Sequence, residues 1–202
     1  MLFPTTPPPR YWTPGWAGPV YVASARTLQT VRGTFRVPTP QKNAPNNAQV
    51  DVWAGLGGLS QPTNLCQAGV TLQQTTTGMR GYLFAWDYPQ KGHEVLGVQP
   101  GDVITVTAGW LGSGWGATAT DRRTGQTVTI GCAAPRQGGW RHAEWITETH
   151  TWDNQAPELA TTPVWFHWMA ATGRGRGSWI QAWELGAVTR FMQPETAVIR
   201  LQ

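Results

Sequence analysis

The fold class is decided by the stretch Val31-Arg32-Gly33-Thr34-Phe35-Arg36-Val37, in which apolar and polar side chains alternate. In an extended chain, Val31, Phe35 and Val37 lie on one face, and the two arginines and the threonine lie on the other. Pro38 follows at once and ends the strand, because proline has no N–H to donate to a neighbouring strand. The pattern is that of a half-buried β-strand.

The same alternation recurs along the chain, and turn-forming residues interrupt it about every ten residues. Strands are predicted over residues 31–37, 50–56, 102–108, 115–120, 127–130, 144–149, 164–170, 179–185, 187–192 and 197–201. Helical periodicity is almost absent, and the connectors are too short to be domain linkers. We therefore predict an all-β protein. Residues 15–202 are expected to form a single β-sandwich domain, and the proline-rich residues 1–14 an extended arm.

Composition excludes several classes of protein. The chain has 202 residues, of which 13 are Trp and only 13% are charged, so it can bury a core and is not of the disordered type. The longest apolar stretch, residues 164–171, is far shorter than the roughly 20 residues needed to span a bilayer. The net charge of +4 comes mainly from scattered arginines. The Arg-Gly segment 173–177 is typical of an exposed hairpin loop, so no nucleic-acid partner is expected. No membrane association is expected either, because no apolar stretch is long enough to span a bilayer.

Cysteine and histidine limit the chemistry further. Cys66 and Cys132 allow one disulfide bond or two buried thiols, and the sequence leaves both possibilities open. The four histidines show no metal-binding spacing, and Ser113 is not in a G-x-S-x-G nucleophile motif. We expect no metal, no cofactor and no serine hydrolase.

Two polar side chains within predicted strands are candidates for catalysis. Gln67 points away from the face shared by Cys66, Ala68 and Val70, and Glu144 lies in a strand beside tryptophans. A carboxylate in such surroundings costs free energy unless it is hydrogen-bonded. Both residues could also be ordinary solvent-facing strand residues.

These residues belong to a series of motifs whose order resembles that of the glutamic peptidases, or eqolisins. The motifs are Trp16–Val20, Val31–Pro38, Trp53–Gly58, Leu65–Val70, Tyr82–Pro89, Gly101–Ile104, Thr124–Gln126 and Ala143–Glu148. The last reads Ala-Glu-Trp-Ile-x-Glu and is the most specific. Each motif alone is weak, but their collinear order is strong.

The resemblance implies a jelly-roll-like (concanavalin-like) sandwich of two antiparallel sheets, one of them curved into a substrate cleft. It implies an acid-active, pepstatin-insensitive endopeptidase with Gln67 and Glu144 as its catalytic pair. Such a pair suits peptide hydrolysis without a covalent intermediate, because a base must activate water and a donor must stabilise the oxyanion. Trp53 is predicted to line the cleft, with packing in the core as the alternative. Tyr82, Trp86 and Tyr88 are predicted to form a hairpin that covers the substrate, although aromatic residues in strands also serve in packing.

Polypeptides are the expected substrates, and a monomer is expected. The family resemblance implies a secreted, extracellular protein, although residues 1–10 lack the features of a secretory signal. The chain departs from the family pattern at Gly57, Ala68 and Thr71, where carboxylates or a threonine are usual, and this bears on the acid optimum. A carbohydrate-binding sandwich without catalysis is the alternative function, and a structural protein that retains a peptidase fold is a third.

Overall fold

The computed structural model describes residues 10–12, 15–59, 61–135, 139–149, 159, 161–183 and 197–201. These residues form strands, turns and bends, with no helix among them, and hence no helix of membrane-spanning length and apolarity within those ranges. The strands are β1 (Arg10–Trp12), β2 (Trp16–Ala23), β3 (Thr30–Arg36), β4 (Gln49–Gly58), β5 (Gln61–Thr75), β6 (Gly78–Tyr88), β7 (Lys91–Leu96), β8 (Val103–Trp110), β9 (Trp115–Asp121), β10 (Thr127–Gly131), β11 (His142–Glu148), β12 (Phe166–Gly173), β13 (Gly177–Trp183) and β14 (Ala197–Leu201).

The strands form two sheets that pack face to face. The larger sheet has the order β1-β13-β2-β11-β4-β5-β6-β7, and the smaller has the order β10-β9-β8-β3-β12-β14. All pairings are antiparallel except β1 with β13 and β12 with β14. The predicted all-β sandwich of two antiparallel sheets is therefore confirmed, with a parallel pairing of β1 at the edge of one sheet and of β14 at the edge of the other.

Most predicted strands overlap an observed strand, and two predictions need comment. The strand predicted over residues 187–192 lies outside the described residues. Residues 10–12 of the predicted arm form β1, which pairs with β13 and extends the larger sheet. The rest of the arm, residues 1–9 and 13–14, also lies outside the described residues.

The main core lies between the two sheets and contains the apolar residues of each alternating strand. From the larger sheet it takes Val50, Val52, Ala68 and Val70, among others, and from the smaller sheet residues such as Phe35 and Ile104. Cys66 and Cys132 form a disulfide bond that joins β5 to the segment after β10. The bridge therefore links the two sheets covalently through the core.

The half-exposed Arg123 forms ion pairs with two buried aspartates at one end of the smaller sheet. Arg123 donates to both carboxylate oxygens of Asp102, at 2.5 and 2.9 Å, and its guanidinium lies 3.7 Å from the buried Asp121. These hydrogen bonds hold the pKa of Asp102 below its usual value. Two motifs of the sequence, around Gly101–Ile104 and Thr124–Gln126, thus have a structural role far from the catalytic candidates.

Candidate active site

The strand register places Glu144 and Gln67 on either side of one glycine. Glu144 in β11 pairs with Gly55 in β4, and Gly55 pairs in turn with Gln67 in β5. Residues paired across a sheet share a face, so both side chains project from the larger sheet on the side opposite the main core. Two strand spacings separate their Cα atoms, which is about 9.6 Å.

Gly55 leaves open the space between the two candidates. A Cβ atom at this position would lie 2.9 Å from Cβ of Gln67 and 3.2 Å from Cδ1 of Leu65. Both distances are shorter than ordinary van der Waals contact, so no larger residue fits without moving Gln67. The glycine thus lets the amide and the carboxylate approach the same volume above β4.

Glu144 is buried in apolar surroundings. It has no exposed surface, and its Oε1 accepts a hydrogen bond of 3.1 Å from the backbone N–H of Leu59. Burial raises the pKa of Glu144 well above its usual value; the Leu59 N–H opposes this shift, and the charge of Glu148 adds to it. The carboxyl group therefore takes up a proton at a higher pH than an exposed glutamate.

Two acceptor atoms of the pair have no hydrogen-bond partner among the residues that the structure describes. Oε2 of Glu144 and Oε1 of Gln67 are buried and accept no hydrogen bond from any described residue. Buried polar atoms are nearly always paired, because leaving one unpaired costs about 1–3 kcal/mol. The two atoms are therefore suited to share a small donor such as water between them.

A second carboxylate supports the floor of this site. Glu148, four residues after Glu144 in β11, accepts a hydrogen bond of 2.8 Å from the indole N–H of Trp53. Trp16 packs edge-on against Trp53, with ring centroids 4.9 Å apart. Trp53, Ile146, Val20, Leu65 and Phe84 form a second apolar cluster on the site face of the sheet.

Trp53 lies on the face of Gln67, as the alternation predicts, and it has no exposed surface. The ring packs in the second cluster against Trp16 and donates to Glu148, so it forms part of the floor of the site. Its contact with substrate stays a prediction.

The other three predicted substrate-binding residues lie on β6, on the same face as Gln67. Trp86 pairs directly with Gln67 and is half-buried, and Tyr88 is 46% exposed. Tyr82 is also half-buried, and it lies four residues before Trp86 on the strand. β6 and β7 form a hairpin at the edge of the sheet, so these aromatic rings border the accessible side of the site. Their contact with substrate stays a prediction.

Two neighbours of the pair, His142 on β11 and Gly57 on β4, lie two residues from Glu144 and from Gly55. His142 precedes Glu144 on the same face, and burial, with smaller contributions from the charges of Arg141 and Arg26, lowers its pKa to about 4. Its imidazole is therefore neutral above that pH. Gly57, where the family pattern has an aspartate, has a φ of +100°, and a Cβ there would lie 2.2 Å from the carbonyl oxygen of Asn64. This backbone excludes the aspartate.

Comparison with known families identifies the chain. The sequence model described as the Peptidase A4 family matches residues 14–196. The chain belongs to the Peptidase A4 family. A comparison with curated protein sequences finds no match. Family membership makes this A4 member a protease, and the resemblance to glutamic peptidases is confirmed.

Solved structures agree with the fold of this A4 peptidase. A scytalido-glutamic peptidase, crystallised with a peptide-based transition-state analogue, is 22% identical, with a TM-score of 0.64 over 82% of this chain and 83% of the other. SCP-B, an eqolisin crystallised with the tripeptide Ala-Ile-His, is 21% identical, with a TM-score of 0.61 over 82% of each chain. At this level of identity the two structures establish the fold.

Three further contributors in this A4 peptidase were not predicted from the sequence as parts of the site. Gly55 lies within a recognised motif, but its role depends on strand pairing. The Leu59 N–H becomes visible only once the end of β4 is placed beside Glu144. Glu148 is part of the Ala-Glu-Trp-Ile-x-Glu motif, and alternation places it on the face of Glu144, but the sequence does not predict its hydrogen bond with Trp53.

Proposed function

We propose that this protein is an endopeptidase that hydrolyses peptide bonds with a water molecule held between Glu144 and Gln67. The proposal is supported by a single arrangement: two buried acceptor atoms, without protein partners among the described residues, on side chains that flank a glycine. Water has two O–H groups and can donate one to each acceptor. Its lone pair then faces a peptide carbonyl carbon bound above β4.

The reaction needs one proton acceptor and one hydrogen-bond donor. Ionised Glu144 takes a proton from the water as the water oxygen attacks the carbonyl carbon. The Gln67 NH2 group donates to the oxyanion that forms, and it keeps this capacity at every pH because an amide does not titrate. When the C–N bond breaks, Glu144 passes the proton to the leaving amine and becomes a carboxylate again.

Access to this site favours approach from one side. Glu144 is fully buried, whereas Gln67 and Trp86 are half-buried and Tyr88 is exposed. A polypeptide would therefore lie along the β5–β7 side, with its scissile carbonyl next to Gln67. Aromatic rings on this side supply apolar contact area for the side chains that flank the bond.

The pH dependence follows from the state of Glu144. Its pKa is raised, and the base must be ionised to accept a proton, so activity falls as pH drops below that pKa. The acid limb of kcat/KM therefore lies at higher pH than it would for an exposed glutamate. We propose activity in mildly acidic solution, with a lower limit set by this group.

The test compares cleavage of an unfolded protein by the wild type, E144Q and Q67A from acid to neutral pH, with pepstatin present. We expect E144Q to lose at least about 1,000-fold in kcat and Q67A about 100-fold or more, since the donor alone contributes on this scale. The matched control is E94Q, which removes an exposed carboxylate on the same sheet and should keep full activity.

Thermal unfolding shows whether the inactive variants are folded. A buried carboxylate with a raised pKa destabilises the folded state once pH rises through that pKa. E144Q should therefore have a higher Tm than the wild type at neutral pH, and the difference should shrink in acid, where Glu144 is protonated. Retention of activity by folded E144Q would refute the proposed mechanism.

A further inference from the structure

The outer face of the smaller sheet carries threonines in regular rows. Strand pairing aligns them in two rows that run across β10, β9, β8 and β3. One row is Thr127, Thr120, Thr105 and Thr34, and the other is Thr129, Thr118, Thr107 and Arg32. Hydroxyls therefore repeat about every 4.8 Å across the sheet and about every 6.8 Å along each strand.

Hydrogen bonds between neighbouring threonines hold this array in place. The Oγ1 atoms of Thr120 and Thr127 are 2.9 Å apart, as are those of Thr118 and Thr129, and those of Thr34 and Thr105 are 3.4 Å apart. Thr34 is buried and contributes only to the order of the first row. The other hydroxyls of the array are exposed or half-buried, and since a hydroxyl has one donor hydrogen and two acceptor lone pairs, each retains hydrogen-bonding capacity toward an incoming ligand. The array is thus ordered before anything binds.

The same face is positively charged. Arg32 and Arg36 are exposed on β3, and Arg122 extends along the first row to donate to Oγ1 of Thr105 at 2.7 Å. In the six strands as described, the sole acidic residue is Asp121, which is buried and bound by Arg123. An anionic ligand meets no opposing carboxylate on these strands.

An exposed tryptophan lies on β12, the strand next to β3 at one end of the two rows. The rows continue onto β12 at His167 and Ala170, and the pairing with β3 is irregular between these residues. Trp168, within this irregularity, is 68% exposed and has a φ of +53°, which is costly for a bulky residue. Bulges often turn a side chain toward a binding surface.

We propose that this face binds an extended acidic polysaccharide, a polymer of uronic acid units, independently of the peptidase site on the other sheet. Sugar hydroxyls match the threonine hydroxyls as donors and acceptors. Uronate carboxylates accept from the arginine guanidinium groups in the planar, two-bond geometry that arginine favours. The exposed indole of Trp168 stacks on the C–H face of a pyranose ring.

The test measures binding of the full chain to polygalacturonate at near-neutral pH. We expect R32Q/R122Q to bind about tenfold or more weakly, because it removes two charge-assisted contacts. T107V, which removes a hydroxyl at nearly constant volume, and W168A should each weaken binding severalfold. The matched control is R80Q, which removes an exposed arginine on the other sheet and should bind like the wild type. All four variants should retain peptidase activity.

Three comparison polymers, dextran, polyaspartate and double-stranded DNA, test which chemistry the face recognises. Dextran, which has hydroxyls without charge, and polyaspartate, which has carboxylates without sugar rings, should each bind at least about tenfold more weakly than polygalacturonate. E144Q should bind polygalacturonate as the wild type does, which separates this inference from the proposed catalytic mechanism. Equal binding of polyaspartate or of double-stranded DNA, unchanged binding by R32Q/R122Q, or no binding of polygalacturonate would each overturn it.

Discussion

At the scale of single residues, Gly55 controls the distance at which the catalytic candidates meet. An added Cβ would lie 2.9 Å from Cβ of Gln67, so G55A must displace the amide. We expect kcat to fall at least tenfold, with a stability loss of about 1–3 kcal/mol from overpacking. Steady-state kinetics well below the Tm measures the first and chemical unfolding the second.

The control for this substitution is G114A, since a Cβ at Gly114 has open space around it. G114A should leave kcat unchanged. If G55A folds and cleaves like the wild type, the glycine does not set the geometry of the pair.

The sequence predicts Gln67 and Glu144 but not what lies around them. Alternation assigns each residue to a face, and a family motif marks the pair. Neither tells which residue separates them, because that depends on strand register, and register is a property of two strands at once. The sequence leaves the burial of Trp53 undecided for a similar reason, since the ring packs against Trp16, which lies 37 positions earlier in the sequence.

At the scale of elements, β11 carries two carboxylates on one face, and they act on each other. The charge of Glu148 contributes to the raised pKa of Glu144. Asp51 on β4 pairs with Glu148. The other ionisable groups on this face, among the residues that the structure describes, are His142 on β11, Arg80, Tyr82 and Tyr88 on β6, and Glu94 on β7. E148Q keeps an acceptor for the Trp53 N–H but removes the charge, so the pKa of Glu144 should fall. The acid limb of kcat/KM should then move to lower pH.

A pH profile of kcat/KM for E148Q checks this expectation, with E94Q as the charge-neutralising control on β7. The limb of E94Q should coincide with that of the wild type. A limb that stays in place in E148Q, or one that moves to higher pH, would mean that Glu148 supports Trp53 without affecting the base.

The strands themselves were largely predictable. Half-buried strands such as β3 and β8 alternate cleanly, because one face meets the core and the other meets solvent. β11 is harder to assign, since most of its residues are buried on both faces. β1 lies in a proline-rich stretch without alternation, and only its pairing with β13 makes it a strand.

At the scale of the whole molecule, the described residues of the two outer faces differ in charge. The site face of the larger sheet has four acidic residues, Glu144, Glu148, Asp51 and Glu94, and one arginine, Arg80, whereas the outer face of the smaller sheet has arginines and threonines. A net charge of +4 conceals this separation. The separation is consistent with the two proposals, which place peptide hydrolysis on one face and polyanion binding on the other.

The disulfide bond ties these two sheets together, so its loss should lower stability more than it lowers activity. Cys66 and Cys132 are 66 positions apart, and closing a loop of this length stabilises the folded state by about 4 kcal/mol. Reduction of the wild type should lower Tm by on the order of 10 °C. Gln67 projects from the opposite face of β5, so kcat measured below the lowered Tm should stay within severalfold of the oxidised enzyme.

The variant C66A/C132A should lose at least as much stability as the reduced wild type, because it also removes two sulfur atoms from packed positions. Equal Tm values for the oxidised and reduced wild type would show that the packed core alone holds the sheets together.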